Sequence, residues 1–242
     1  MSEQKTIGKI EVTPYHGNVD QMQKTIINTV NEFVFGDFQD NFPLGYLYEA
    51  DIQAHLACKI SQQITSPIIF SDEKDTYQLT PITREYPVGM RHDIVFINPY
   101  VMEDYVSWRL GKKSSIPISH ILWELPLLVG IEIKYSLFGY TLHANKSGIS
   151  DSEKLKKYKG DASKQNYHEE RNQRSQSLNF TENFKHLSIM FFQDKGWFKK
   201  HIVELGERSL QKIDENGIDK YDAIYLVGPE KEVYRYTGDI KP

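Results

Sequence analysis

The stretch that decides the fold of this chain is Leu127-Leu128-Val129-Gly130-Ile131-Glu132-Ile133-Lys134. Its apolar run is typical of a β-strand buried on both faces. Because side chains alternate along a strand, Glu132 and Lys134 point to one face and Ile131 and Ile133 to the other. A carboxylate and an ammonium then stand roughly 7 Å apart along the backbone. Charged groups are costly in such surroundings unless they are used, so the segment predicts functional residues.

A second apolar strand is predicted over Ile94 to Ile97. Asp93 directly precedes it, and Asn98-Pro99 ends it. The continuous apolar pattern predicts another strand that is buried on both faces. Asp93 therefore occupies a position on this strand that matches the position of Glu132 on the other.

An amphipathic helix upstream supplies a third acid. The segment from about Leu44 to Ile64 has apolar residues at four-residue steps, which predicts a helix with one buried stripe. The stripe consists of Ile52, Leu56, Ile60 and Ile64. Glu49 continues it at the N-terminal end and is expected to point toward the interior or a cleft. A solvated helix acid explains Glu49 equally well, and Asp51 is an alternative helix acid that lies off the stripe.

The other segments predict a chain of mixed helices and strands. An extended arm over residues 1–20 precedes a helix over 21–35, with Asp20 as its N-cap and Gly36 at its end. Residues 100–125 form a long insertion between the two acid-bearing strands. The remaining expected elements are a short strand at 67–70, an edge strand within 76–90, a charged helix over about 150–172, a strand at 187–192, a helix from Phe198 past Ile213 to Gly217, and a strand at 223–227. The last strand, helix and strand indicate a parallel crossover.

An acid on a helix, an acid on a strand and Glu-x-Lys on the next strand together resemble the PD-(D/E)XK nuclease superfamily. The residues that carry the resemblance are Glu49, Asp93, Glu132 and Lys134. The order of elements over roughly 44–192 is similar to the α-β-β-β-α-β core of that superfamily. The resemblance implies a restriction-endonuclease-like α/β fold, with a mixed central sheet flanked by helices. One domain is expected, with an N-terminal arm and helix over 1–43 and a C-terminal helix and strands over 193–242.

The chain departs from the family pattern around these acids. Asp93 and Glu132 are 39 positions apart, whereas the connection in the family is usually short. Glu124 lies closer to Asp93 along the chain and is either a structural acid or a ligand. His92, rather than a proline, precedes Asp93.

The resemblance implies chemistry assisted by Mg²⁺, for which Mn²⁺ can substitute. Mg²⁺ prefers carboxylate oxygens, water and substrate phosphate. The implied ligands are Asp93, Glu132, the backbone carbonyl of Ile133, and Glu49 directly or through water. The implied catalytic residues are Asp93, Glu132 and Lys134. Lys134 either orients or deprotonates the attacking water, or stabilises the developing charge.

Polar residues in two segments are candidates for DNA binding. The charged helix and the insertion contribute Lys156, Lys157, Lys164, Gln165, Arg109, Lys112 and Lys113. Basic side chains of this kind can follow phosphates, and Trp108 beside Arg109 can contact a groove or an unpaired base. In several branches of the superfamily a Lys or Gln of this helix reaches the active site, and Lys164 and Gln165 are nearest to that place. A solvated helix face and a loop packed by Trp108 explain the same residues without DNA.

Composition narrows the function classes. Hydrophobic residues make up 39% of the 242 residues and aromatic residues 12%, which is enough for a buried core. The net charge of -4 does not by itself indicate a nucleic-acid binder. The single Cys58 excludes an intramolecular disulfide and a cysteine-rich zinc site. The eight histidines show no metal-ligand spacing along the chain. Nucleotide-binding glycine loops and a Gly-x-Ser-x-Gly elbow are absent from the sequence.

The expected function is a metal-dependent endodeoxyribonuclease of restriction or defence type. With no apolar signal core and no apolar run of membrane-spanning length, a soluble cytoplasmic protein that binds DNA and no membrane is expected. A homodimer is compatible with this expectation. A repair or recombination nuclease is the alternative among enzymes. A catalytically silent nuclease fold that binds DNA or protein is the alternative from another class.

Overall fold

The chain has a mixed α/β structure with helices against both faces of a central sheet. The computed structural model describes residues 6–7, 11–40, 46, 48–71, 75–86, 92–110, 116–117, 125–136, 183–215 and 217–237. The helices are α1 (Val19–Glu32), α2 (Phe38–Asp40), α3 (Glu49–Gln63), α4 (Met102–Leu110) and α5 (Lys195–Leu205). A π-helical segment lies at Phe33–Asp37, and 3-10 turns lie at Pro99–Val101 and Glu207–Ser209.

The strands form one large sheet and smaller ones beside it. The large sheet contains β5 (Ile82–Tyr86), β6 (His92–Ile97), β8 (Leu127–Ser136), β9 (Lys185–Phe192), β10 (Leu210–Ile213), β11 (Ala223–Val227) and β12 (Val233–Tyr236). The shorter strands are β1 (Thr6–Ile7), β2 (Glu11–Val12), β3 (Ile68–Ser71), β4 (Thr76–Leu79) and β7 (Ile116–Pro117). β2, β3 and β4 form one small sheet, and β1 pairs with β7.

The central sheet has an antiparallel side and a parallel middle. Its order is β5-β6-β8-β9-β11-β12-β10. β6 runs antiparallel to both β5 and β8, whereas β8, β9 and β11 run parallel to one another. Apart from Lys134 and Lys185, which are half-buried, the described side chains of β8 and β9 are buried. The middle of the sheet thus has the buried environment that its continuous apolar sequence predicts.

Alternation along β9 shows how the two faces of the sheet are covered. Leu187, Ile189 and Phe191 belong to the core formed with α1 and α3. Met190 and Phe192, at alternate positions, pack in a separate cluster with Phe198 of α5. α3 also contacts β5, β6 and β8, so its N-terminal residue is held near the antiparallel side of the sheet.

Aromatic packing holds the end of α1 against the sheet. Phe33 is fully buried, and its ring lies 6.1 Å from the ring of Tyr46, 5.3 Å from that of His55 and 6.1 Å from that of Phe191. We expect Phe33→Ala to lower the free energy of unfolding by about 3–5 kcal/mol, because it opens a cavity that the surroundings fill only partly. Urea denaturation measures this loss.

The control for this substitution is Val203→Ala, on the exposed side of α5. Val203 is 72% exposed, so its truncation is expected to change the free energy of unfolding by less than about 0.5 kcal/mol. A loss below about 1 kcal/mol for Phe33→Ala would show that this aromatic group does not hold the helix to the sheet.

The ends of α1 differ from the sequence prediction. Asn18, not Asp20, is the N-cap, because its side-chain oxygen accepts a hydrogen bond from a backbone N–H of the first turn at 2.7 Å. Gly36 does not end the helical backbone, which continues through Phe33–Asp37 into α2. The buried aromatic residues of this continuation pack into the core and outweigh the weak helix propensity of one glycine.

The C-terminal region also differs from the sequence prediction. The helix expected to run from Phe198 past Ile213 ends at Leu205, and Ile213 closes β10 instead. Gly206 follows the helix with φ of +81°, a backbone conformation that glycine adopts without strain. The strands expected around 67–70, 94–97, 127–134, 187–192 and 223–227 are confirmed. The charged helix expected over 150–172 lies outside the described residues.

The start of α3, the 100–125 insertion and the N-terminal arm also differ in detail from the sequence prediction. α3 begins at Glu49 rather than near Leu44, so Glu49 is the first residue of the helix. The insertion over 100–125 contains α4, whose buried residues pack on β3 in a cluster separate from the main core. The N-terminal arm contributes β2, which pairs with β3.

Candidate active site

β6 and β8 part from each other at the point where their acids lie. Their paired residues end at Ile94 and Ile131. Beyond this pair, the backbone N–H of Ile133 donates a hydrogen bond of 2.6 Å to Oδ2 of Asp93. A side-chain oxygen thus takes the place of a main-chain acceptor, and the acid of β6 is held against the Glu-x-Lys segment of β8.

The first residue of α3 reaches the same place. Glu49 Oε1 lies 3.8 Å from Lys134 Nζ, and Glu49 Oε2 accepts a hydrogen bond of 3.3 Å from the backbone N–H of Tyr135. Gln53, one helical turn later, donates to Glu49 Oε1 at 3.3 Å. The side chain of Gln53 in turn accepts a 2.9 Å hydrogen bond from Arg84 of β5. These contacts connect the start of α3 to two strands of the large sheet, β5 and β8.

Asp51 has a different role from Glu49. Its Oδ2 accepts a 2.9 Å hydrogen bond from the backbone N–H of Tyr48, which satisfies one of the free donors at the start of α3. The Asp51 side chain is exposed. Of the two helix acids that the sequence leaves open, the one beside Lys134 is therefore Glu49.

Electrostatic coupling joins these residues into one group. Burial raises the pKa of Asp93 from 3.8 to about 7, against the lowering effect of the hydrogen bond from Ile133. The carboxylates of Glu132 and Glu49 raise this pKa further, and the ammonium of Lys134 lowers it. The charges of Glu132, Glu49 and Lys134 thus all act on Asp93, where the strands part. Such an excess of oxygen ligands with negative charge favours a bound divalent cation.

Glu132 is the deepest of these acids. It is 4% exposed, and its Oε1 lies 3.0 Å from Nδ1 of His92. His186 of β9 also lies close to Glu132. The ligand atoms of His92, Glu132 and His186 all lie within 4.8 Å of one another. Glu132 therefore contacts a pair of buried histidines and also acts electrostatically on Asp93.

The histidine pair is what sequence reasoning missed. His92 and His186 are separated by a long stretch of the chain and are brought together by the neighbouring strands β6, β8 and β9. Spacing along the chain therefore carries no signal for them. The one hint is that His92 occupies the position directly before Asp93 in a strand of apolar residues.

Gly130 makes room for His92. A Cβ atom at this position would lie 3.1 Å from Cγ and Nδ1 of His92 and 3.1 Å from Cζ of Phe184. We expect Gly130→Ala to lower the free energy of unfolding by about 1–3 kcal/mol, because overpacking displaces both rings. Thermal and urea unfolding measure this change.

The matched control is Gly36→Ala, in the π-helical segment. Apart from its chain neighbours and the backbone of its own helical segment, no described atom lies within 4 Å of a Cβ built at Gly36. The free energy of unfolding is expected to stay unchanged or to rise by as much as about 1 kcal/mol, because alanine is the better helix former. Equal effects of the two substitutions would contradict the packing of His92 against Gly130.

The basic residues expected to bind DNA are mostly outside the described part of the chain. This holds for Lys112, Lys113, Lys156, Lys157, Lys164 and Gln165, and also for Glu124. Arg109 is described: its guanidinium lies 5.9 Å from the ring centroid of Tyr105 and 5.6 Å from that of Trp108. Trp108 packs against the cluster around α4 and β3. These contacts agree with the interpretation in which Trp108 packs the insertion, and the DNA-binding role of Arg109 stays a prediction.

Comparison with known proteins adds no relative: no family model matches the chain, and no curated protein and no solved structure matches it significantly. Among the described residues, no helix is long and apolar enough to cross a membrane. The geometry and charges of Glu49, Asp93, Glu132 and Lys134 are therefore the features that indicate a function.

Proposed function

We propose that this chain is a divalent-metal-dependent nuclease that hydrolyses DNA phosphodiester bonds. The observation that carries the proposal is the coupling of Glu49, Asp93, Glu132 and Lys134 at the point where β6 and β8 part. These are the residues that carry the sequence resemblance to the PD-(D/E)XK superfamily. They come from α3, β6 and β8, in the chain order of that resemblance.

The order of elements supports the restriction-endonuclease-like fold within this proposal. α3 is followed by the antiparallel strands β5, β6 and β8, and β9 runs parallel beside β8. The α-β-β-β-α-β core has the same order of helix and strands around its Glu-x-Lys strand. α3 lies against one face of the sheet, as the first helix of such a core does. The second helix of the core is expected over about 150–172, outside the described residues.

The residues present fit a hard divalent cation. Asp93 has a pKa of about 7 because it is buried beside two other carboxyl groups, and a cation would replace the proton that this site otherwise holds. Asp93, Glu132, the backbone carbonyl of Ile133 and Glu49 would hold Mg²⁺, or Mn²⁺ in its place. When bound, the ion lowers the pKa of a water and neutralises charge at the phosphate.

Lys134 supplies the positive charge of the protein itself. Its Nζ is half-buried and faces Glu49 at 3.8 Å, and an ammonium has three hydrogens with which to serve more than one acceptor. In the proposed reaction Lys134 orients the attacking water or donates to a phosphoryl oxygen as negative charge develops there. Glu49 keeps the ammonium at this position and so acts on the reaction through Lys134 as well as through the cation.

A restriction or defence endonuclease is the proposed biological setting, with repair or recombination as the enzyme alternative. The experiment incubates the full chain with supercoiled plasmid, branched and flapped DNA, single-stranded DNA and RNA, each with Mg²⁺, with Mn²⁺ and with EDTA. Metal-dependent cleavage of DNA is the expected result, and discrete fragments would indicate sequence reading. Preference for branched or flapped DNA would favour repair.

Binding of DNA without any cleavage in Mg²⁺ or Mn²⁺ would overturn the proposed activity and favour the silent binding module. Cleavage in EDTA at the same rate would overturn the metal requirement. Cleavage of RNA alone would contradict the proposed substrate. A gel-shift assay on the same samples separates failure to bind from failure to cut.

A further inference from the structure

Three buried side chains of the kinds that bind metal ions lie close together on the neighbouring strands β6, β8 and β9. His92 of β6, Glu132 of β8 and His186 of β9 are 3%, 4% and 1% exposed. In the register of β8 with β9, Gly130 lies opposite His186, two residues from Glu132 on the same strand face. The imidazole rings of His92 and His186 lie 5.7 Å apart between centroids. Two imidazoles and one carboxylate are thus buried together, close to one another, in the sheet.

We propose that His92, Glu132 and His186 bind a divalent transition-metal ion, with Zn²⁺ as the best-fitting ion. Neutral imidazole nitrogen and carboxylate oxygen are the donors that Zn²⁺ takes, at bond lengths of about 2.0–2.2 Å. Mg²⁺ prefers oxygen ligands alone, so this donor set selects a different ion from the one proposed at Asp93. The inference goes beyond the proposed nuclease activity and does not require it.

The spacing of the ligand atoms suits such an ion. Nδ1 of His92 and Oε1 of Glu132 lie 3.0 Å apart, and all three ligand atoms lie within 4.8 Å of one another. Ligands of a tetrahedral zinc ion with bonds of about 2.0–2.2 Å lie about 3.3–3.6 Å from one another. The observed separations, 3.0 Å for one pair and at most 4.8 Å for the others, lie near this range.

The surroundings hold these side chains in place. Gly130 leaves the space that His92 occupies, and the ring of Phe184 lies 5.8 Å from that of His92. The backbone of His186 is tied to Asp222: its N–H donates to Asp222 Oδ1 at 3.1 Å, and its carbonyl accepts from the N–H of Asp222 at 2.6 Å. The ligands are thus fixed by packing and strand pairing on rigid elements, as metal sites require.

The proposed zinc site shares Glu132 with the proposed Mg²⁺ site. A carboxylate has two oxygens and can serve one ion with each, as in two-metal sites. Oε1 of Glu132 faces His92, which leaves Oε2 for the ion at Asp93. Zinc at the histidines would therefore fix the orientation of Glu132 and stabilise β6, β8 and β9 as a unit.

The test measures metal content and stability without DNA. The full chain is dialysed against EDTA, then unfolded and refolded with Zn²⁺ or Co²⁺, because the buried site fills during folding. Wild-type protein is expected to retain one Zn²⁺ per chain after gel filtration and to show the visible absorption of a low-symmetry Co²⁺ site. Its melting temperature is expected to rise with Zn²⁺ by more than with Mg²⁺.

Variants separate ligation from folding. His186→Ala and His92→Ala are expected to weaken Zn²⁺ binding by more than about 100-fold, because even the loss of a group that only hydrogen-bonds to a metal ligand costs about 10- to 100-fold. His186→Cys, which keeps a zinc ligand, is expected to retain the ion. The matched control is His201→Ala, which removes a histidine that is 5% exposed on α5 and lies outside the group. Asp93→Asn is expected to keep Zn²⁺, because Asp93 is not one of the three proposed zinc ligands.

Two results would overturn the proposal: wild-type protein that holds no Zn²⁺ or Co²⁺ after refolding, and zinc content that His186→Ala and His201→Ala reduce equally. Because none of these measurements uses DNA, a failure here leaves the nuclease proposal standing. Conversely, a chain that binds Zn²⁺ and never cleaves DNA would support this site and overturn the proposed activity.

Discussion

Lys134→Ala is expected to slow single-turnover DNA cleavage by about 10²–10³-fold, because a positioned donor at developing charge contributes that much to a rate. The effect should lie in the chemical step, since the ammonium acts on the transition state more than on bound DNA. Gel shifts are expected to give the same DNA affinity for variant and wild type within about threefold. Quench-flow or manual sampling with enzyme in excess measures the rate.

Lys59→Ala is a closely matched control. Lys59 also belongs to an ion pair, with Nζ 2.7 Å from Oδ2 of Asp37, and its side chain is 24% exposed against 21% for Lys134. It lies on α3, ten residues after Glu49. We expect Lys59→Ala to cleave at the wild-type rate. Wild-type cleavage by Lys134→Ala would remove this residue from the mechanism.

Asp93→Asn is expected to stabilise the metal-free protein at about pH 8 by about 2–4 kcal/mol. Burial, followed by the neighbouring carboxylates, raises the pKa of Asp93 to about 7 in the folded protein, against 3.8 for an ordinary aspartate. Above the ordinary value, the unfolded chain releases this proton while the folded protein retains it. The free energy of unfolding therefore falls as pH rises from about 4 to about 7.

The amide that Asp93→Asn introduces removes this pH dependence and keeps an oxygen that accepts from the N–H of Ile133. Urea unfolding in EDTA at about pH 4.5, 6 and 8 is expected to give similar stabilities for both proteins at the lowest pH and a growing gain for the variant above it. The control is Asp40→Asn, at an exposed residue of α2, which should follow the wild-type profile. Parallel profiles for wild type and Asp93→Asn would show that burial does not perturb this carboxyl.

The acids of the candidate site could be predicted because local patterns mark them. β6 and β8 are continuous apolar runs, so Asp93 and Glu132 stand out as charges in buried strands. The apolar stripe of α3 likewise indicates the direction of Glu49. In each case the hydrophobic periodicity of a single helix or strand predicts where its acid lies. The tertiary structure then brings the three elements together.

Other features depend on contacts that no local pattern encodes. The pairing of His92 with His186 needs the strand order of the sheet, which brings distant segments side by side. The change from α5 to β10 depends on Gly206, since Phe198 and Ile213 are compatible with one long helical stripe. The continuation past Gly36 depends on the burial of the aromatic residues around it.

The most direct measurement of the central claim is cleavage of plasmid DNA in water enriched in ¹⁸O. If metal-assisted hydrolysis takes place at Asp93, Glu132 and Lys134, cleavage requires Mg²⁺ or Mn²⁺, and mass spectrometry finds one ¹⁸O in each new terminal phosphate. Asp93→Asn, which is expected to fold, then gives no product. Intact plasmid in both metals, or cleavage that Asp93→Asn performs as fast as wild type, would contradict the proposed site.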